Sequence, residues 1–183
     1  MKLIIGLGNP EKQYDGTRHN IGFRLLDEFA TSHDLSWRLN KKFHAEMTEY
    51  TFNGTKVLLA KPTTYYNLVG ESAHSIIDFY KIDPGDVLII HDELDMPFGA
   101  LRTRAGGGDA GNNGIRSITQ HLGTDFKRIR IGIANDLIEQ IDAADFVLSR
   151  FNTEESKAMA EVTKKAHELI NDFLSDNFSH TTI

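Results

Sequence analysis

The sequence contains no cysteine. This absence excludes disulfide bonds, thiolate metal sites and a cysteine nucleophile, and it is compatible with a reducing compartment. A serine in a Gly-x-Ser-x-Gly turn, the usual strand-to-helix nucleophile, is absent as well. Covalent catalysis through either of these groups is therefore not expected.

Long apolar runs are also missing. No segment approaches the ~20 consecutive apolar residues that a membrane-spanning helix needs. The apolar stretch from Leu3 to Leu7 ends at Gly8, so it is too short for a signal-peptide core. We therefore expect a soluble, cytoplasmic protein with no membrane partner.

The length of the chain and the absence of a linker indicate one domain. A chain of 183 residues can bury an ordinary core. No internal repeat, low-complexity tract or linker divides it. We predict that residues 1 to 183 form a single domain and that residues 176 to 183 form a flexible end.

Charge is distributed unevenly along the chain, whose net charge is -6. Residues 135 to 183 contain ten acidic and four basic residues, whereas the rest of the chain carries sixteen of each. Between residues 100 and 134 the balance reverses, with six basic and two acidic residues. A basic strip on an acidic protein is a local site for an anion.

Apolar periodicity predicts strands that alternate with helices. Strands are predicted over residues 1–7, 43–50, 56–60, 87–90, 100–104 and 127–134, and helices over about 21–29, 71–80, 115–122 and 154–173. Asn53-Gly54 predicts an antiparallel hairpin, and residues 143–151 are ambiguous. Asn20 and Thr153 are the expected helix N-caps. The pattern indicates an α/β three-layer sandwich in which helices flank a central, twisted, mixed sheet.

Polar side chains follow three of the predicted strands. Asn9, Asn67 and Asp92 each come shortly after such a strand. In an open α/β sheet, strand ends of this kind meet at one edge, where sites are built. His19 precedes a helix on non-helical backbone, a position at which an ordinary surface histidine is the simpler interpretation.

An ionisable cluster and a glycine-rich loop lie within about thirty residues of each other. His91, Asp92, Glu93 and Asp95 follow a buried strand, and five glycines lie between residues 106 and 114. Glycines that open a helix let a ligand approach its free N–H groups. The four ionisable residues do not favour a metal site, because neighbouring strand residues point to opposite faces.

The first predicted strand leads into Gly6-Leu7-Gly8, which raises the alternative of a dinucleotide site. A third glycine is missing, and Pro10 stands where the helix would begin, so this alternative is not favoured. A histidine can deprotonate water if a carboxylate orients it, and asparagine amides can donate to a developing negative charge. The residues supply these groups without showing that they meet.

Four longer segments resemble the signature segments of bacterial peptidyl-tRNA hydrolases, in order and at the family's spacing. They are GLGNPEKQYDGTRHNIGF, KPTTYYNLVGESA, HDELDMPFG and RTRAGGGDAGNNGIRSI. Two further segments, RIRIGIA and DFVLSRFNTEE, are similar to those that follow in the family. The resemblance covers nearly the full chain.

This resemblance implies a phosphorylase/hydrolase-like α/β fold and cleavage of the ester between a peptide and the 3′-terminal ribose of tRNA. It implies that His19 is the catalytic base and that Asp92 orients it. Residues implied to bind substrate are Asn9, Tyr14, Tyr65, Asn67 and Asn113. The family acts as a monomer without metal or cofactor, so we expect neither here.

The expected partner is peptidyl-tRNA, through its acceptor stem and 3′ end. Four arginines of the basic strip can meet the stem phosphates without reading bases. They are Arg102, Arg104, Arg128 and Arg130.

The sequence departs from the family pattern at three positions. Asn112 stands where histidine is common, Tyr66 replaces a frequent methionine, and Glu11 stands where glycine is common. Tyr66 can line a groove with Tyr65 or simply pack inside the protein.

Two other functions are compatible with the same features. One is an RNA-binding protein on this fold without catalysis, which would keep the basic strip and have less need of His19. The other is a peptidase or nucleoside phosphorylase on a similar sheet, which leaves the arginines unexplained.

Overall fold

The computed structural model describes all residues from Met1 to Ile183 and contains seven strands and five α-helices. The strands are β1 (Lys2–Gly6), β2 (Arg38–Asn40), β3 (Ala45–Phe52), β4 (Thr55–Pro62), β5 (Val87–Pro97), β6 (Leu101–Ala105) and β7 (Lys127–Ala134). The helices are α1 (Ile21–Ser32), α2 (Val69–Tyr80), α3 (Asn113–Leu122), α4 (Ala143–Leu148) and α5 (Thr153–Leu174). No helix combines the length and the apolar character needed to cross a membrane.

All seven strands form one sheet in the order β2-β3-β4-β1-β5-β7-β6. The four central strands β4, β1, β5 and β7 run parallel, and β2, β3 and β6 are antiparallel to their neighbours. The predicted mixed sheet is confirmed. The predicted hairpin joins β3 to β4, where Asn53 and Gly54 both have positive φ angles, as a tight two-residue turn requires.

Helices cover both faces of the sheet, which gives three layers. β1 is buried on both faces because its side chains alternate between two apolar clusters. Ile4 packs with α1 and α5, whereas Leu3 and Ile5 pack with α2 and α3. Gly22 lets α1 lie against the sheet, since a Cβ there would collide with the backbone of Leu7 and Ile90. This close approach fixes the segment that precedes α1.

The helix caps differ from those predicted. The Asn20 side chain does not cap α1; its amide instead forms two hydrogen bonds of 2.9 Å with the backbone of Asn9. The N-cap of α5 is Asn152, one residue before the predicted Thr153, in a reciprocal capping box with Glu155. The ambiguous residues 143–151 contain the short helix α4.

We expected residues 176 to 183 to form a flexible end. In the structure this segment instead pairs with β6 at the edge of the sheet. The Leu101 N–H donates to the Ile183 carbonyl at 2.8 Å, and the Thr103 N–H donates to the Thr181 carbonyl at 3.0 Å. An edge strand has free N–H and C=O groups, and the end of the chain satisfies those of β6.

Candidate active site

The candidate site lies where β1 and β4 end, beside the longer strand β5. Asp92 was expected to follow a strand, but it lies within β5, two residues past the last residue that pairs with β1. A cleft of about 450 Å³ opens there. It is lined by Asn9, His19, Asp92, Glu93, Leu94, Asp95, Ala110, Gly111, Asn112, Asn113, Ala143, Ala144, Val147 and Leu148.

His19 and Asp92 form a hydrogen-bonded pair in this cleft. The His19 Nδ1 lies 2.7 Å from Asp92 Oδ2, and the side chains are 17% and 3% exposed. An ionised carboxylate can only accept a hydrogen bond, so Nδ1 carries the proton and donates it. In the neutral imidazole, Nε2 then has a free lone pair.

The second oxygen of Asp92 has its own donors. Oδ1 accepts from the Tyr66 hydroxyl at 2.6 Å and from Asn112 Nδ2 at 3.2 Å. Burial by itself would raise the pKa of Asp92, but the charge and hydrogen bonds of its partners outweigh burial and hold that pKa below its ordinary value. Asp92 is therefore an ionised, hydrogen-bonded carboxylate.

The Asn9 amide is held in place by the loop that follows β4. Asn9 Oδ1 accepts from the Tyr66 backbone N–H at 2.9 Å, and the Asn20 amide fixes the Asn9 backbone. The Nδ2 group of Asn9 makes no hydrogen bond within the protein. A rigid amide donor thus lines the same cleft as His19.

The remaining residues that the resemblance implied for substrate binding divide into two groups. Asn113, the first residue of α3, lines the cleft, and its Oδ1 accepts from Arg116 at 3.2 Å. Asn67 is exposed in the turn after β4, and Tyr65 is 53% exposed with its hydroxyl on Glu11. Tyr14 lies partly buried in the turn that spans Lys12–Tyr14. None of these last three lines the cleft.

The other ionisable residues of β5 have separate partners. His91 is buried and donates through Nδ1 to the Asp92 carbonyl at 2.7 Å, while Glu93 pairs with Arg130 at 2.7 Å. Asp95 is exposed. No three histidine or acidic side chains converge in a way that could hold a metal ion. Burial lowers the pKa of His91 from 6.5 to about 4, so its imidazole is neutral.

The four arginines of the basic strip also differ in their surroundings. Arg128 is only 2% exposed, and it donates to the carbonyls of Gly106 and Gly108 in the glycine-rich loop. Arg130 is neutralised by Glu93. The structure therefore does not support phosphate binding by Arg128 in this conformation. Arg102 and Arg104 are exposed on β6.

A sequence model described as peptidyl-tRNA hydrolase matches residues 3–182 of the chain. The chain belongs to the peptidyl-tRNA hydrolase family. It is 50% identical to the peptidyl-tRNA hydrolase of Geobacillus thermodenitrificans over 91% of this chain and 89% of that protein. It is 44% identical to that of Oceanobacillus iheyensis over 93% of this chain and 90% of that protein.

Solved structures of the peptidyl-tRNA hydrolase family share the fold. A crystal structure of peptidyl-tRNA hydrolase from Acinetobacter baumannii is 36% identical and superimposes with a TM-score of 0.88. The match covers 96% of this chain and 89% of that one. A complex of peptidyl-tRNA hydrolase with n-propanol gives a TM-score of 0.89 at 35% identity, with the same coverage of both chains. The predicted α/β sandwich is thereby confirmed.

Sequence reasoning missed three residues that hold this peptidyl-tRNA hydrolase fold around His19. Arg18 is 1% exposed and contacts Glu155 through two hydrogen bonds of 2.9 and 2.7 Å. Tyr66 and Asn112 were noted only as departures from the family pattern, yet both donate to Asp92. No local signal marks these contacts, because each partner lies at least 20 residues away in the chain.

Proposed function

We propose that the chain hydrolyses the ester between the peptide and the 3′-terminal ribose of peptidyl-tRNA, with His19 as the general base. Membership of the peptidyl-tRNA hydrolase family supports the reaction. The observation that carries the mechanism is the 2.7 Å contact between His19 Nδ1 and Asp92. It assigns the free lone pair to Nε2, the nitrogen that can take a proton from water.

In this mechanism the ionised Asp92 holds the imidazole in one tautomer and stabilises the imidazolium that forms when water is deprotonated. The water oxygen attacks the ester carbonyl, whose oxygen then carries the negative charge. The Nδ2 group of Asn9 and the Asn113 amide are the donors proposed to stabilise that charge or to orient the substrate. The bond between the carbonyl carbon and the ribose oxygen then breaks, and the departing ribose oxygen takes the proton from His19. The products are the free peptide acid and tRNA.

The composition of the cleft suits a peptidyl ester. His19, Asn9 and Asn113 supply polar groups on one side, whereas Leu94 and the residues of α4 give an apolar wall on the other. Such a wall can contact a peptide side chain without selecting its polar groups. We therefore place the ester at the His19 side of the cleft and the peptide along α4.

We propose that the tRNA backbone is bound by Arg102 and Arg104, because both are exposed on the edge strand β6. Asn67, Tyr14 and Tyr65 do not line the cleft. We propose that they contact the substrate outside the cleft, near the cleft entrance. This assignment rests on the family resemblance. We further propose that the enzyme acts as a monomer in the cytoplasm, where translation produces peptidyl-tRNA.

The proposal is tested with an N-blocked aminoacyl-tRNA and an assay for ester release. The native chain is expected to release free tRNA under multiple turnover, and His19→Ala is expected to lower the rate about 10²- to 10⁴-fold without loss of folding. Tight tRNA binding without release would instead support an RNA-binding protein. Normal turnover by His19→Ala would refute the role of this histidine.

A further inference from the structure

We propose that Tyr66 and Asn112 are positioning residues for the His19–Asp92 pair, and that they set how strongly the carboxylate holds a protonated His19. The inference rests on the proposed function, because it explains how the general base is tuned. It follows from the way in which the two oxygens of Asp92 are divided between partners.

The two donors occupy one oxygen of Asp92 and leave the other to His19. The Tyr66 hydroxyl and Asn112 Nδ2 both reach Oδ1, and Asn112 Nδ2 also lies 3.1 Å from the Tyr66 hydroxyl oxygen. The His19 contact is made by Oδ2 alone. A carboxylate pinned through Oδ1 cannot rotate, so the direction in which Oδ2 meets His19 is fixed.

Both donors are themselves immobilised. The Tyr66 backbone N–H donates to Asn9, and its ring packs against Gly114, where a Cβ would collide with it. Asn112 is the N-cap of α3, with Oδ1 accepting from the Ile115 N–H at 3.0 Å. Asn112 therefore ties the start of α3 to Asp92 with a single side chain.

Tyr66 also contacts the base directly. Its ring stacks on the His19 imidazole with centroids 3.6 Å apart and planes at 21°. Burial, reinforced by the neighbouring Asp92 charge, raises the pKa of Tyr66 well above its ordinary value. The group is therefore a neutral phenol that donates to Asp92 and offers a π face to a protonated imidazole.

Few other charged side chains lie near the His19–Asp92 pair. Asp92 and Tyr66 contact His19, while Glu93 and Asp95 line the same cleft. Glu93 is paired with Arg130. His91 is buried, and its Nδ1 donates to the Asp92 carbonyl. Arg18, which precedes His19, is paired with Glu155. Tyr66 and Asn112 are thus the two uncharged side chains that donate to the Asp92 carboxylate itself.

The two donors come from different parts of the chain, since Tyr66 lies in the turn after β4 and Asn112 lies at the start of α3. They are 46 positions apart, yet they meet at one carboxylate oxygen. This convergence indicates that the support of Asp92 in this chain is built as a unit.

Tyr66→Phe tests the proposal, because it removes the hydroxyl and keeps the stacked ring. With one donor fewer, Asp92 holds the imidazolium more firmly. We therefore expect the acid limb of the kcat/KM profile to move to higher pH. We expect kcat to fall about 5- to 30-fold, because the carboxylate no longer holds the imidazole in one direction, and KM to change less than about 2-fold. Tyr50→Phe is the matched control, since it removes a buried hydroxyl that has no partner and lies outside the cleft.

Asn112→Ser provides a second variant, because serine can still cap α3 but cannot reach Asp92 as an amide donor. It is expected to move the acid limb in the same direction, and the double variant further than either. An NMR titration of the His19 ring, without substrate, should show the same shifts. An unchanged titration and an unchanged limb in folded variants would overturn the proposal. Because the NMR measurement needs no turnover, it stays decisive even if the native chain fails to cleave peptidyl-tRNA.

Discussion

Arg18 and His19 are adjacent in the chain, and each contacts a buried carboxylate, but the two pairs are built for different purposes. We call the first the anchor, formed by Arg18 and Glu155, and the second the reaction centre, formed by His19, Asp92, Tyr66 and Asn112. In the anchor every nitrogen of the guanidinium has a partner. These partners are the Glu155 carboxylate, the Ile133 carbonyl and the Ser149 hydroxyl, and the rings of Phe146 and Phe151 lie 4.6 and 5.0 Å away.

In the reaction centre one ring nitrogen of His19 is bound to Asp92, and the other has no partner in the protein. Polar groups with all their bonds made hold a fold in one arrangement, whereas a free lone pair in a cleft is available for chemistry. Because Arg18 and His19 are joined by a peptide bond, the anchor also fixes the backbone position of His19. Stability and reactivity are thus supplied here by neighbouring residues with separate partners.

The largest effect is expected from Asp92→Asn, which breaks the reaction centre and spares the anchor. The amide cannot fix the same tautomer of His19 or stabilise its protonated form. We expect kcat to fall about 10²- to 10⁴-fold, with a much smaller change in KM. The measurement is ester release from N-blocked aminoacyl-tRNA, with circular dichroism to show that the fold is retained. A variant with native kcat would show that the carboxylate is dispensable.

Glu155→Gln applies the converse test, because it breaks the anchor and leaves His19 and Asp92 intact. The change leaves the Arg18 charge buried without a counter-ion, so the free energy of unfolding should fall by about 3 to 5 kcal/mol. The free energy of unfolding is measured by chemical denaturation. The matched control is Glu154→Gln, which alters the neighbouring exposed pair with Lys157 and should leave the free energy of unfolding unchanged. Equal stability of the two variants would contradict the comparison.

His91 differs from His19, because it is fully buried and its Nδ1 contacts a backbone carbonyl in place of a carboxylate. Its pKa is about 4 in the folded protein against an ordinary 6.5, so the unfolded chain binds the proton first as pH falls. The stability that depends on a neutral His91 is therefore complete above pH 6.5 and is lost as the pH falls toward 4.

Denaturation curves at several pH values test this prediction. His91→Gln should flatten the decline in stability between pH 6.5 and 4. The control His74→Gln removes an exposed histidine of α2 and should keep the native slope. A native slope in His91→Gln would show that another group causes the decline.

The smallest effect is expected at Arg102 and Arg104, which lie outside both pairs. Replacement of either by Gln should raise KM about 3- to 10-fold at low salt and leave kcat unchanged, because a phosphate contact is lost. The salt slope of log KM should fall by about 1 for each arginine. Arg38→Gln, on the opposite edge of the sheet, is the control. No change in the salt slope would remove these residues from the tRNA surface.

Local sequence patterns predicted the parts of the fold that local chemistry decides. Asn53-Gly54 determined its hairpin, and the apolar run of β5 was recognised because it is buried on both faces. Asn20 was predicted to be a helix cap by the same reasoning. Its amide was recruited by the Asn9 backbone instead, through a contact between loops that no local pattern describes.

The site was less accessible to sequence reasoning. Its residues taken alone left His19 as a surface histidine, and the family resemblance supplied its pairing with Asp92. The two are 73 positions apart, and Arg18 is 137 positions from Glu155. Such contacts depend on how α1 and α5 pack on the sheet. Burial of Arg128 was missed for the same reason, since the glycine-rich loop folds over it.

The most direct test of the central claim is a double-mutant cycle of His19→Ala and Asp92→Asn, measured by single-turnover cleavage of N-blocked aminoacyl-tRNA. If Asp92 acts through His19, removal of the carboxylate from His19→Ala costs nothing more, and the double variant should be as slow as His19→Ala alone. Losses that multiply would show that the two residues act independently, and would contradict an imidazole made basic by its carboxylate.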